Sequence, residues 1–252
     1  MFTSGHHFYL YLVFSLYFFS LFFSFWSKKK ISKLSFSLFV IGFGLNFLYI
    51  LGRGFVGTEI ALTPIVEGPF FLPVCLGLLT LFHFIFYQDD NWRLLLILVF
   101  LFTLAALFYP KGIIPPTPKK TTFWAVAFFC SEIMAHACFL VGLVLASQVV
   151  FFKKNSNAFH SYLVWGFVSY SVSQIVGAIW SYYGWGNTFS WSPRHLSSAS
   201  IWLLYAAYLH LPYLKEWNLK KRALFAIGAS LFVIFISYGH YFHEMGFKRI
   251  GG

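Results

Sequence analysis

The chain has 252 residues, of which 59% are hydrophobic and only 10% charged, with 35 phenylalanines. Soluble domains carry about 25% charged residues, so this composition excludes a water-soluble enzyme and belongs to a multi-span membrane protein. The net charge of +11 does not signal a nucleic-acid partner, because the cations lie in short clusters between apolar runs, where they set topology.

The N-terminus, MFTSGHHFYL, lacks the basic region and small-residue cleavage site of a signal peptide, so the first apolar run reads as a retained helix. About 20 apolar residues cross the hydrocarbon core as a helix. That rule gives eight expected spans, 8–26, 34–52, 69–87, 94–109, 123–150, 159–181, 198–214 and 223–243. The fourth is short and the fifth long. The expected fold is an all-α polytopic membrane protein, a bundle of about eight transmembrane helices, with 1–252 as a single transmembrane domain. Cys75, Cys130 and Cys138 all lie inside apolar runs and form no CxxC pair, which argues for buried structural thiols and against a disulfide framework or a thiol reductase.

Lysine and arginine set the orientation. Alternate connections hold Lys28, Lys29, Lys30, Lys33, Arg93, Lys153, Lys154, Lys215, Lys220, Lys221 and Arg222. The opposite set holds Arg53, Lys111, Lys119, Lys120, Arg194, Lys248 and Arg249. The first set is richer and its loops shorter, so it is expected to face the cytoplasm, with both termini on the outer side.

In chain order, the connection from Arg53 to Gly68 carries Glu59 and Glu67, with Pro64 and Pro69 breaking helix geometry around them. The segment PKGIIPPTPKKTTFWAVAFF is an extended outer connection running into the fifth span. Histidine inside a span is costly and is by default a functional hypothesis; His83, His136 and His210 qualify. His83 and His210 each lie about one helical turn from the cytoplasmic end of their spans. His136 follows Glu132 by four residues and so shares its helix face, as a proton relay, an outer-shell carboxylate with its ligand, or an interhelical polar contact; the polar contact is favoured.

The stretch 177–210, GAIWSYYGWGNTFSWSPRHLSSASIWLLYAAYLH, joins two apolar segments through a loop dense in aromatic residues. Aromatic side chains belong at the bilayer interface, so an interfacial belt is one reading. The spacing supports a sharper one. Trp185-Gly186-x-x-Phe189-x-Trp191-Ser192-Pro193-Arg194 resembles the WGxxWxWDPK motif of the cytochrome c biogenesis proteins of the CcsA type, relatives of CcmC. Gly177-Ala178-x-Trp180 before the loop, and Trp202 followed by Tyr208-Leu209-His210 after it, keep the same register.

That resemblance implies a protein that handles heme at the outer face of a plasma (inner) membrane, in the company of a companion biogenesis subunit and an apocytochrome c. It implies b-type, non-covalently held heme, with Trp180, Trp185, Phe189, Trp191 and Trp202 as an apolar platform and Arg194 as a propionate partner. His210 matches the family's in-membrane ligand; His83 is the expected partner across the bundle, unless the companion subunit supplies one or His83 merely reaches to water at the interface. Glu67 matches a glutamate entering the third span, with either a heme-site role or a membrane-edge position facing water.

The departures are as specific. Phe128, four residues after Trp124, stands where the family has an outer heme-ligating histidine, and the second outer ligand falls close to Arg249. Ser192 stands for the motif's aspartate and His195 for a glutamate. Either His195, His240 or His243 took over outer ligation, or the outer site is lost and these histidines are solvated and idle. Two readings follow: a heme-handling subunit, at most part of a cytochrome c heme lyase system, or a divergent membrane anchor or electron-transfer subunit of a larger complex. A transporter is less attractive because no inverted repeat is detected, and no phosphate loop, zinc spacing or nucleophile triad occurs.

Overall fold

The structure, a computed structural model, describes residues 5–25, 29–56, 59–115, 117–154 and 156–246. Its helices are α1 (Gly5–Ser24), α2 (Lys29–Arg53), α3 (Gly68–Tyr87), α4 (Trp92–Phe108), α5 (Phe123–Phe151), α6 (Ala158–Trp185), α7 (Pro193–His210) and α8 (Leu219–Glu244). This is the all-α polytopic membrane architecture that composition implied. Among the described residues, four helices are long and apolar enough to cross a membrane alone: 33–53 of α2, α3, α5 and α6. Helix α4 and residues 8–24 of α1 are apolar but shorter.

The chain divides into two compact helical units, one running to Thr121 and one covering Thr122–Glu244. In the first, α1 packs on α2, α2 on α3, α3 on α4, and α4 closes back onto α1. Where α1 meets α2, the Ser20 and Ser35 hydroxyls each donate to the other's backbone carbonyl at 2.7 Å. Phe14 stacks on Phe100 across the α1–α4 seam, at 5.0 Å between centroids.

The 53–68 connection forms a short antiparallel hairpin of β1 (Phe55–Val56) and β2 (Glu59–Ile60), with Phe55 opposite Ile60. Arg53, at the end of α2, is buried in an ion pair with Glu67 at the start of α3. It also donates to the Lys111 carbonyl at 2.8 Å and lies 3.9 Å from the Phe70 ring centroid. Thr63 donates to the Lys120 carbonyl at 2.8 Å, so the two proline-bearing connections of this unit are tied side by side. Glu67 is therefore a structural anchor here rather than an acid facing water.

The second unit repeats the same ring: α5 on α6, α6 on α7, α7 on α8 and α8 on α5. Glycine makes the α5–α6 seam close. A Cβ on Gly142 would fall 2.5 Å from Leu163 Cδ2, and one on Gly166 would fall 2.6 Å from the Phe139 ring. Lipid offers no hydrophobic drive between helices, so such close backbone approach is what binds them. Gly166→Val is accordingly expected to cost about 1–3 kcal/mol through overpacking; an unchanged thermal midpoint in detergent would contradict that seam.

Helix α7 is tethered at its centre. Tyr205 stacks face to face on Phe139 of α5, centroids 3.7 Å apart, and donates to Ser230 Oγ of α8 at 3.0 Å, while Ser230 donates to the Phe139 carbonyl. Only Ile201, Tyr205 and Tyr208 of α7 are fully buried.

The helix ends follow glycine and proline. Helix α6 stops at Gly186, whose φ of 77° is open to glycine at little cost. Helix α7 starts at Pro193, five residues before the expected seventh span, because proline in the first turn gives up an N–H that has no partner there anyway. It ends at His210, not at 214: Pro212 has no N–H for the Tyr208 carbonyl, so the Leu211 N–H takes it instead and the chain tightens into a 3₁₀ turn over Leu211–Tyr213. Among the described residues Cys75, Cys130 and Cys138 form no disulfide; Cys75 and Cys138 are buried and Cys130 is half-buried.

Candidate functional site

The tryptophan-rich segment lies wholly within the second unit, between the end of α6 and the start of α7. Its floor is apolar. Phe128 and Trp180 are buried against Ala125, and a Cβ on Gly177 would fall 2.8 Å from the Phe128 ring. Phe128, the residue expected at the family's outer ligand position, is thus packed between α5 and α6.

On that floor Trp185 stands edge-on to Trp180 at 5.4 Å. Trp185, Phe189 and Trp191 are exposed, Trp191 most of all at 82%. Phe189 joins two neighbours, Trp191 edge-on at 5.4 Å and the His195 ring at 5.4 Å. Further along α7, Trp202 lies 5.4 Å from Phe167 and donates its indole N–H to Ser171 Oγ at 3.0 Å. Of the five expected platform residues, Trp180 is foundation and the other four present surface.

Arg194 is half-exposed. Its guanidinium lies 5.4 Å and 5.7 Å from the Phe128 and Phe129 ring centroids and 3.8 Å from Glu132. Glu132 thus makes an interhelical polar contact from α5 to α7. His136, one turn on, is buried with Nε2 lacking a hydrogen-bond partner, its ring 6.1 Å from Tyr170.

His195 occupies the third position of α7, where a side chain reaches back towards the N-cap residue. Its Nδ1 lies 2.8 Å from Ser192 Oγ and 2.9 Å from Ser190 Oγ, and Ser190 Oγ donates to Ser192 Oγ at 3.1 Å. Ser190 has one proton and spends it on Ser192. The Ser190 contact to Nδ1 is then satisfied only if Nδ1 carries the hydrogen, shared between the two hydroxyl oxygens, which in the neutral ring leaves the lone pair on Nε2.

His210 arrives at the same state by another route. Its Nδ1 lies 2.8 Å from the Ala206 carbonyl, which can only accept, so Nδ1 donates and Nε2 holds the lone pair. The side chain is exposed at the C-terminal end of α7. Fifteen residues separate the two histidines, about 22 Å along the axis and about 60° around it, so they share one stripe of α7 but cannot share one iron.

His83 belongs to the first unit and is fully buried. Its Nε2 lies 2.9 Å from Asp89 and its ring stacks on Tyr87 at 4.7 Å. Asp89 also accepts from the Asn91 backbone and side chain, so His83 is part of the α3–α4 turn. His240 and His243 fall within α8, but their side chains, like Arg249, lie outside the described residues. His160, which no sequence pattern singles out, holds the Tyr208 hydroxyl at 3.1 Å through Nδ1. Among the described residues, no three His, Cys, Asp or Glu side chains gather as they would around a bare metal ion.

No family model matches the chain. Curated proteins do. It is 42% identical over 73 residues to the cytochrome c biogenesis protein CcsA of Prochlorococcus marinus (strain NATL1A), covering 29% of this chain and 23% of that one. Over 173 residues it is 27% identical to the CcsA of strain AS9601, covering 53% of this chain and 56% of that one. The CcsA of Cyanophora paradoxa is 34% identical over 86 residues, 34% of this chain and 26% of its own length. The chain is homologous to the CcsA-type cytochrome c biogenesis proteins. The matched regions span between about a quarter and a little over half of these CcsA proteins' length.

Against the CcsA-type pattern, the two ends of α7 differ in kind. The C-terminal end keeps the histidine that the family resemblance marks. The N-terminal end carries Ser192 and His195 beside the exposed aromatic surface, and Phe128 of α5 is buried.

Proposed function

We propose that the chain is a heme-handling membrane subunit of cytochrome c biogenesis, working with a companion subunit and an apocytochrome c. The observation that carries this reading is the pairing, at the two ends of α7, of an exposed aromatic cluster just before its first residue with a ligand-competent histidine at its last. The residues present fit the group. Heme, when bound, supplies a flat apolar face for aromatic contact and an iron that takes imidazole nitrogen.

Trp185, Phe189 and Trp191 offer the apolar faces and exclude water from one side of the macrocycle. Arg194 keeps donors for a propionate, because its contact with Glu132 is long and its side chain half-exposed. His210 offers Nε2 within the membrane, its ring oriented by the Ala206 carbonyl. His83 offers a ligand only if Asp89 gives way at Nε2 or another nitrogen is used. Outer ligation falls to His195, His240 or His243. By the distribution of cations, the tryptophan-rich segment and both termini lie on the outer side of the plasma membrane, and the loops before α4, α6 and α8 face the cytoplasm.

The burial of Phe128 supports a second reading, a CcsA-type scaffold retained as an anchoring or electron-transfer subunit. One experiment separates them. An absorption spectrum of the detergent-purified protein, oxidised and reduced, is expected to contain a Soret band that weakens in Trp191→Ala. Protein that neither copurifies with heme nor takes up added hemin would overturn the heme-handling reading in favour of the anchor.

A further inference from the structure

Resting on the heme-handling reading, we infer that His195 is the outer iron ligand of this chain, and that Ser190 and Ser192 are positioning residues that hold its Nδ1–H so that Nε2 faces the iron. The two-hydroxyl cradle around Nδ1, beside the exposed Phe189–Trp191 pair, is the feature behind it.

Ser192 argues most directly. It is the N-cap of α7, and an N-cap serine ordinarily turns its oxygen to an N–H of the first turn. Here the side chain makes no capping bond. Its hydroxyl oxygen instead accepts from the imidazole Nδ1–H at 2.8 Å, with Ser190 completing the cradle at 2.9 Å. A helix that forgoes its cap to orient a side chain has that side chain's orientation as the return. A ring fixed through Nδ1 presents Nε2 as the donor, which is how histidines on metal are commonly held.

Position agrees with chemistry. His195 touches Phe189, and Phe189 touches Trp191, so the imidazole borders the most exposed aromatic surface of the segment. The position at which the family ligates from α5 is closed by Phe128, packed on Trp180 and against Gly177. Ligation from the first turn of α7 restores an outer ligand without reopening that core.

The test is hemin titration of the purified full-length protein in a His210→Ala background, which silences the in-membrane ligand. His195→Ala is expected to abolish the remaining ligated spectrum. Ser190→Ala with Ser192→Ala should retain the ligand but weaken hemin affinity about 10–100-fold. It should also raise the reduction potential, because an imidazole without acceptors at Nδ1–H is a poorer donor to ferric iron. The double serine variant should unfold at the parent temperature, since Ser192 makes no cap to lose, and Ser192→Thr, which keeps the hydroxyl, should restore affinity and potential. Hemin bound with the same affinity and spectrum after His195→Ala overturns the inference and leaves the heme-handling reading standing. So does a serine pair whose removal lowers stability and leaves the potential unmoved. Failure of wild type to bind hemin defeats the reading beneath it.

Discussion

Arg53→Ala is expected to destabilise the first helical unit by about 3–5 kcal/mol, the usual cost of removing one partner from a buried ion pair. The guanidinium is almost completely buried, and its loss takes the neighbouring cation from the Glu67 carboxylate, whose side chain is only 9% exposed. The same substitution removes the hydrogen bond to the Lys111 carbonyl and the cation at 3.9 Å from Phe70, so the links from α2 to α3 and to the 109–122 connection loosen together. Unfolding in mixed detergent, followed by circular dichroism, measures the loss. Arg53→Met with Glu67→Leu should cost much less than the sum of the single changes, because no uncompensated charge is then left inside. A single-variant cost below about 1 kcal/mol would put the pair in the class of exposed ion pairs and contradict its burial. Glu67→Gln separates the anchor seen in the fold from the heme-site role that the resemblance allowed: an anchor loses stability, whereas a heme-site acid loses hemin affinity at unchanged stability.

The fold was readable where one physical signal decides the outcome. Apolar runs located the eight helices, but α6 runs on to Trp185, four residues past the expected 181, until Gly186 supplies the αL residue that stops it. Hydropathy failed at α7 because Arg194, His195, Ser197 and Ser198 look like loop by composition; the pattern Ser192-Pro193 is the capping signal that would have placed the start correctly. Pro212 likewise announces the end at His210. That shift matters for chemistry, since it moves His195 from a loop into a helical turn facing its own N-cap. Spacing along one helix suggested Glu132 with His136, but Arg194 from α7 reaches the carboxylate, and a charge partner on a neighbouring helix is invisible to local periodicity. The cradle of Ser190 and Ser192 is of the same kind: the residues were in view, but hydroxyl-to-imidazole contacts depend on the turn that only the folded segment makes. His160 illustrates the opposite limit, a polar side chain whose partner, Tyr208, is 48 residues away.

His210→Ala is expected to remove the in-membrane heme while leaving the bundle intact. The side chain is exposed, and its one hydrogen bond is to a carbonyl of its own helix, so its deletion should change stability by less than about 0.5 kcal/mol. In the proposed heme site its effect is larger. The Ala206 carbonyl fixes Nδ1 as donor, and loss of such an orienting partner alone weakens metal binding about 10–100-fold; loss of the ligand itself should exceed that. The readout is the absorption spectrum of purified protein, oxidised and reduced, where the His-ligated component should vanish at an unchanged thermal midpoint. His83→Ala belongs beside it. Its Nε2 is held by Asp89 inside the α3–α4 turn, so this variant should lower stability, and heme loss without that penalty would make His83 a ligand rather than a turn clamp. A spectrum that survives His210→Ala unchanged would move any bound heme to the N-terminal end of α7, about 22 Å away along the helix, where His195 and the exposed tryptophans stand.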